Sequence, residues 1–179
     1  IEQNTLLGMA REAISHGLMH GPVWPISAES HSEAVQKNGA SLVTLHYNKQ
    51  LRGCIGSFSA HRPLVNDVVQ NAFKAAFRDP RFPQLSSTEF SQLEYHISIL
   101  TPSEAMTFTS EDDLLNQIRP NIDGLVLEDK GYRGTFLPSV WEQLPDGQDF
   151  LNHLKMKSGL AQNYWSDEIK IRRYSVEEF

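Results

Sequence analysis

Residues 41–58 read "SLVTLHYNKQLRGCIGSF", and the fold class turns on this stretch. Apolar and polar residues alternate through "SLVTLHY" and again through "LRGCIGSF", with Asn48, Lys49 and Gln50 between them. Two alternating runs joined by three residues that include Asn predict a β-hairpin. With a three-residue loop, Tyr47 faces Leu51, His46 faces Arg52 and Thr44 faces Cys54. Strand alternation then sets Thr44, His46, Arg52, Cys54 and Gly56 on one face. Val43, Leu45, Leu51, Gly53 and Ile55 fall on the other, the core side.

The first of these faces gathers a thiol, an imidazole and a guanidinium. Gly53 and Gly56 weaken a strand, so they predict a close approach to its backbone, by a ligand or by packing, or a bulge. Arg52 suits an anionic ligand, because its planar fork binds carboxylate or phosphate at two points and keeps its charge. Cys54 is the candidate thiolate and His46 the group that tunes it, since positive charge nearby favours ionised sulfur. The alternative for Cys54 is a small buried hydrophobe.

Outward from the hairpin, Pro63 starts a helix over 63–78 whose Leu64, Val68, Ala72, Phe73 and Phe77 face the core. Asp67, Asn71, Lys74 and Arg78 line its other side. Asp79-Pro80 ends it, because the residue before a proline avoids helical geometry. In "FRDPRF" (77–82), Arg78 suits the helix C-terminus. Asp79 can pair with Arg81 or with Arg52 and orient that partner towards a ligand.

Further elements follow by the same signals. Helices are predicted near 2–18 and 30–37, from Ser110 onward with Glu111, Asp112 and Asp113 in the first turn, and near 148–158 before Gly159. Strands are predicted at "EYHISIL", "GLVLED", "YRGTFL" and "EIKIRRYS", the middle two forming a second hairpin around Lys130-Gly131. Helices and mostly antiparallel strands interleave without a βαβ rhythm, which predicts an α+β fold.

At 179 residues and 20.3 kDa, the chain has length enough for one domain, or for two small lobes. A net charge of -6 argues against general nucleic-acid binding, which needs clustered Lys and Arg. One cysteine among 179 residues rules out an internal disulfide and makes the reducing cytoplasm the expected compartment. No apolar run approaches the ~20 residues of a membrane span. Walker, dinucleotide and Gly-x-Ser-x-Gly motifs are absent and the histidines are scattered, so neither cofactor nor metal is expected.

"LRGCIGSF", "AAFRDPRFPQLSSTEFSQLEYHISILTP", "DGLVLEDKGYRGTFLPSVW" and "FLNHLKMKSGL" occur in the order in which the AMMECR domain family carries its signatures. The chain resembles that family, named for the Alport-syndrome chromosomal-region protein and including the AmmeMemoRadiSam system protein A. The resemblance runs from about residue 5 to the last strand. It departs where family members often carry a second cysteine and this chain has Lys155, so no two-thiol role is carried over. The resemblance implies antiparallel sheets flanked by helices in two unequal lobes with a cleft between them, within a single domain spanning 1–179.

Two classes of function stand. In the first, the chain is an enzyme component acting with Memo-like and radical S-adenosylmethionine partners. Its cleft, centred on Leu51–Gly56, binds a small anionic ligand through Arg52, Gly53, Gly56, Asp79 and Arg81, joined by Arg133 if the lobes meet there. In the second, it is a non-enzymatic adaptor that binds a protein or RNA through the same cleft.

Overall fold

In the computed structural model, which describes residues 2–179, residues 41–58 form the expected hairpin with a shorter turn. Strands β1 (Asn38–Tyr47) and β2 (Gln50–Gly56) pair antiparallel, Tyr47 opposite Gln50. The loop is therefore Asn48-Lys49 alone, with φ of 51° and 62°. Positive φ at both positions is what a two-residue turn needs to follow the strand twist. The register then slips between Leu45 and His46: Leu45 faces Gly53, His46 faces Leu51, and Arg52 is left without a partner in β1. Thr44 does face Cys54, as expected.

The chain divides into two compact units. The first runs to Leu100 and takes in Glu177–Phe179 at the C-terminus; the second is Thr101–Val176. In the first unit, β2, β1, β4 (Glu94–Leu100) and β9 (Val176–Glu178) stand side by side, with β3 (Arg62–Pro63) on β1. Helices α1 (Gln3–His20) and α3 (Leu64–Phe77) cover one face, and Leu6, Ile14, Val43, Leu45, Val65, Val68, Ala72 and Ile97 fill the core between them. Short helices α2 (Glu33–Gln36) and α4 (Ser87–Phe90) sit in the connections.

The expected apolar face of α3 is buried, but its polar side is not free. Asp67 and Asn71 are fully enclosed, and only Arg78 is exposed. Asp67 takes hydrogen bonds from the Ser41 backbone N–H (2.9 Å) and hydroxyl (2.8 Å), the Ser57 hydroxyl (2.9 Å) and the Asn71 amide (2.9 Å), with Arg62 Nε at 3.2 Å. Polar groups are enclosed at this density only when their bonds are made. The network joins α3 to β1 and to the end of β2.

In the second unit, β5 (Glu104–Ala105), β8 (Lys170–Tyr174), β6 (Gly124–Asp129) and β7 (Tyr132–Phe136) form a four-stranded sheet. β6 and β7 meet at Lys130-Gly131, both at positive φ. Helix α5 (Glu111–Gln117) is capped by Ser110, which accepts from the Asp113 N–H, and α6 (Gly147–Lys157) by Asp146. Trp141 stacks on Phe150 at 3.8 Å in this unit's own core. The strand pairs in both sheets whose register is defined are antiparallel, so the fold is α+β. No helix among the described residues is long and apolar enough to cross a membrane.

Candidate functional site

β2 lies at the edge of its sheet, which leaves one side of its backbone without a strand partner. At Cys54 that side is taken by the turn following α3. Asp79 accepts the Cys54 N–H at 2.9 Å, and Arg81 Nη2 donates to the Cys54 carbonyl at 3.3 Å. Both main-chain groups of Cys54 thus point away from β1, which makes Thr44–Cys54 a non-hydrogen-bonded pair, the kind whose side chains lie closer. Thr44 Oγ1 and Cys54 Sγ are 3.2 Å apart and share a hydrogen bond. The thiol is half-buried and free.

Asp79 also grips Arg81 through Nε (3.0 Å) and Nη2 (2.8 Å). The carboxylate is 4% exposed. The Arg81 side-chain bond holds it far below the usual carboxylate range, against the opposing effect of burial. Arg81 is raised in return, chiefly by Asp79, with a smaller contribution from Cys54. Of the two pairings open in the sequence, the structure makes the one with Arg81.

Arg52 departs from expectation. The bulge frees it from β1, and bulges commonly re-aim a side chain. It is 8% exposed rather than surface-reaching, and it does not face His46. Its Nε and Nη2 bind Glu89 at 2.7 and 3.3 Å. Glu89 is fixed in turn by Ser86, whose N–H and hydroxyl each donate to Oε2 at 2.8 Å. "SSTE" at 86–89 is a capping-box spacing legible in the sequence, and it was the available signal for Glu89. Phe82, another residue that strand alternation could not reveal, lies beside both guanidiniums, whose Cζ atoms stand 5.9 Å (Arg52) and 5.5 Å (Arg81) from the ring centre. Arg52 Nη1 is enclosed and has no hydrogen-bond partner.

Both glycines have packing reasons. A Cβ on Gly53 would land on the Ala75 carbonyl of α3, and one on Gly56 would strike Leu42 and the Ser41 carbonyl. The close approach read from these glycines is therefore made by α3 and β1. His46 lies by His96, ring centres 5.1 Å apart, across β1 and β4 rather than beside Arg52. Arg133 belongs to the second unit, where it pairs with Glu128 at 3.1 Å and lines a groove of about 730 Å³ with Lys130, Glu168 and Lys170. Lys155 is enclosed and bound to Glu111 at 2.6 Å. No group of three or more His, Cys, Asp or Glu among the described residues is arranged to hold a metal ion.

The pair Arg52–Glu89 has a pH signature. Arg52, assisted by Ser86, brings Glu89 from an ordinary 4.5 down to about 2, against the effect of burial. A carboxylate depressed by folding contributes its stability above the unfolded pKa and loses it as pH falls to the folded value. Glu89 therefore stabilises fully above about pH 4.5 and ceases to do so near pH 2. Urea midpoints measured across this window are expected to fall less steeply in Glu89→Gln than in the native chain. Parallel acid limbs would remove Glu89 from the account.

The AMMECR1 family model matches residues 7–179. The chain belongs to the AMMECR1 family. Protein MJ0810 of Methanocaldococcus jannaschii is 33% identical over 183 residues, covering 100% of this chain and 90% of that protein. A Thermotoga maritima protein is 30% identical over 181 residues, covering 100% and 99%. The crystal structure of uncharacterized protein PH0010 from Pyrococcus horikoshii superposes with a TM-score of 0.84 at 29% identity, over 97% of this chain and 88% of that one.

Proposed function

We propose that this AMMECR1 family protein binds a small anionic ligand at β2, with Arg52 and Arg81 as its cationic groups and Cys54 and Thr44 beside it. The observation that carries the reading is Arg52 Nη1, enclosed without a partner while the rest of the fork is held by Glu89. A buried donor left unpaired costs about 1–3 kcal/mol, and an anion would remove that cost. Asp79 and Glu89 hold the two guanidiniums in place before any ligand arrives, which reduces the ordering cost of binding. Arg81 is half-exposed and gives the ligand a way in. The resemblance to AmmeMemoRadiSam protein A supports a ligand-handling role beside Memo-like and radical S-adenosylmethionine proteins.

Calorimetric titration with inorganic phosphate and with sulfate tests the reading. The native chain is expected to give a saturable heat. Arg52→Lys, which keeps the charge and loses the fork, is expected to weaken binding about tenfold, with the thermal midpoint reported alongside. Equal affinity in the two proteins, or no saturable heat in the native chain, would overturn it.

A further inference from the structure

Cys54 is the one nucleophilic side chain in this cluster, and anion binding gives it no task. Its sulfur is held by the Thr44 hydroxyl at 3.2 Å. Its own main chain anchors the Asp79–Arg81 fork, through the N–H at 2.9 Å and the carbonyl at 3.3 Å. The guanidinium of Arg81 is thus tied to the same residue that carries the thiol, and Arg52 shares the Phe82 ring with it. Asp79 and Glu89 are engaged by their own guanidiniums. The unpartnered donor on Arg52 is the independent sign that an anion belongs at this cluster.

We propose, resting on the anion-binding reading, that the ligand class is a small disulfide bearing carboxylates, and that Cys54 exchanges with it. The Cys54 sulfur attacks one sulfur of the disulfide. The S–S bond breaks, a mixed disulfide forms on Cys54, and the other half leaves as a thiolate. The Cys54 proton passes to solvent or to that leaving thiolate. The small disulfide is the oxidant, and no other co-reactant is needed.

The sequence adds a consequence. The chain has one cysteine. No second thiol in the chain can displace the adduct. The mixed disulfide persists until an external thiol attacks it, so Cys54 acts as a one-thiol carrier and not as half of a dithiol switch.

The experiment compares three small aliphatic disulfides that differ in charge: dithiodipropionate, which is dianionic; hydroxyethyl disulfide, which is neutral; and cystamine, which is dicationic. Adduct formation is followed by intact mass, and each rate is divided by that of the same chain unfolded in urea, which removes intrinsic reagent differences. In the native chain the normalised rate for the dianion is expected to exceed that for the dication about tenfold or more. The order is expected to collapse in Arg81→Gln and to persist in part in Arg81→Lys. Phosphate is expected to slow the dianion more than the neutral reagent. Equal normalised rates for all three charges would overturn the inference, as would a thiol silent until unfolding. Phosphate calorimetry on the same samples separates the two readings: saturable phosphate binding without charge order removes the exchange chemistry alone, whereas absence of both removes the anion site as well.

Discussion

Asp67→Ala is expected to lower the unfolding free energy by about 3–5 kcal/mol, the range found when one member of a buried charged network is removed. Asp67 is wholly enclosed and satisfies donors from Ser41, Ser57 and Asn71, with Arg62 alongside. Truncation leaves the Ser41 N–H and the Asn71 amide short of an acceptor and adds a cavity, and each effect is destabilising. Asp67→Asn keeps the shape but places a second set of amide donors among donors, so it is expected to fall between the two. The check is the urea midpoint at constant m-value. A loss below about 1 kcal/mol for Asp67→Ala would mean that the network is replaceable by water.

Gly53→Ala is expected to cost about 3 kcal/mol or more, beyond the usual penalty of overpacking, because the obstacle is main chain. The new methyl would fall on the Ala75 carbonyl oxygen inside α3, which can yield only by lifting the helix off the sheet. The effect should appear as lost stability and as faster hydrogen exchange in both β2 and α3. A folded variant of native stability that loses only its anion affinity would restore the ligand-approach reading of this glycine.

These two residues show where local reading of the sequence succeeds and where it stops. Alternation in "SLVTLHY" and "LRGCIGSF" gave two antiparallel strands, because a strand's side-chain period is a property of its own backbone. The 3.6-residue period of 63–78, the stop at Asp79-Pro80, the cap at Ser110 and the turn at Lys130-Gly131 were legible for the same reason. Each is decided by residues within a few positions of one another. The Thr44–Cys54 pairing, read from a three-residue loop, holds because a turn one residue shorter and a one-residue bulge offset each other.

The site was less legible, because its partners lie far apart in the chain. Arg52 reaches Glu89 across 37 positions, Ser41 meets Asp67 across 26 and Cys54 meets Asp79 across 25. A two-residue turn in place of three paired His46 with Leu51 instead of Arg52, and the bulge between Leu45 and His46 then restored the expected register from Leu45–Gly53 onward, leaving Arg52 unpaired. The three-residue strand β9 carried too short a pattern to be read, and forms through the reciprocal Ile97–Phe179 hydrogen bonds.

The sequence by itself determined the α+β class, the order and type of the main elements, and the residues that bring a thiol and guanidiniums to one strand and the turn that follows a helix. Only the tertiary structure decided which carboxylate holds which arginine, that Asp67 is a buried hub on a helix side that looked solvated, and that Gly53 is small for α3. Periodicity records which face a residue occupies. What meets that face is set by packing between segments distant in sequence, where the desolvation of each charge must be matched by a specific partner.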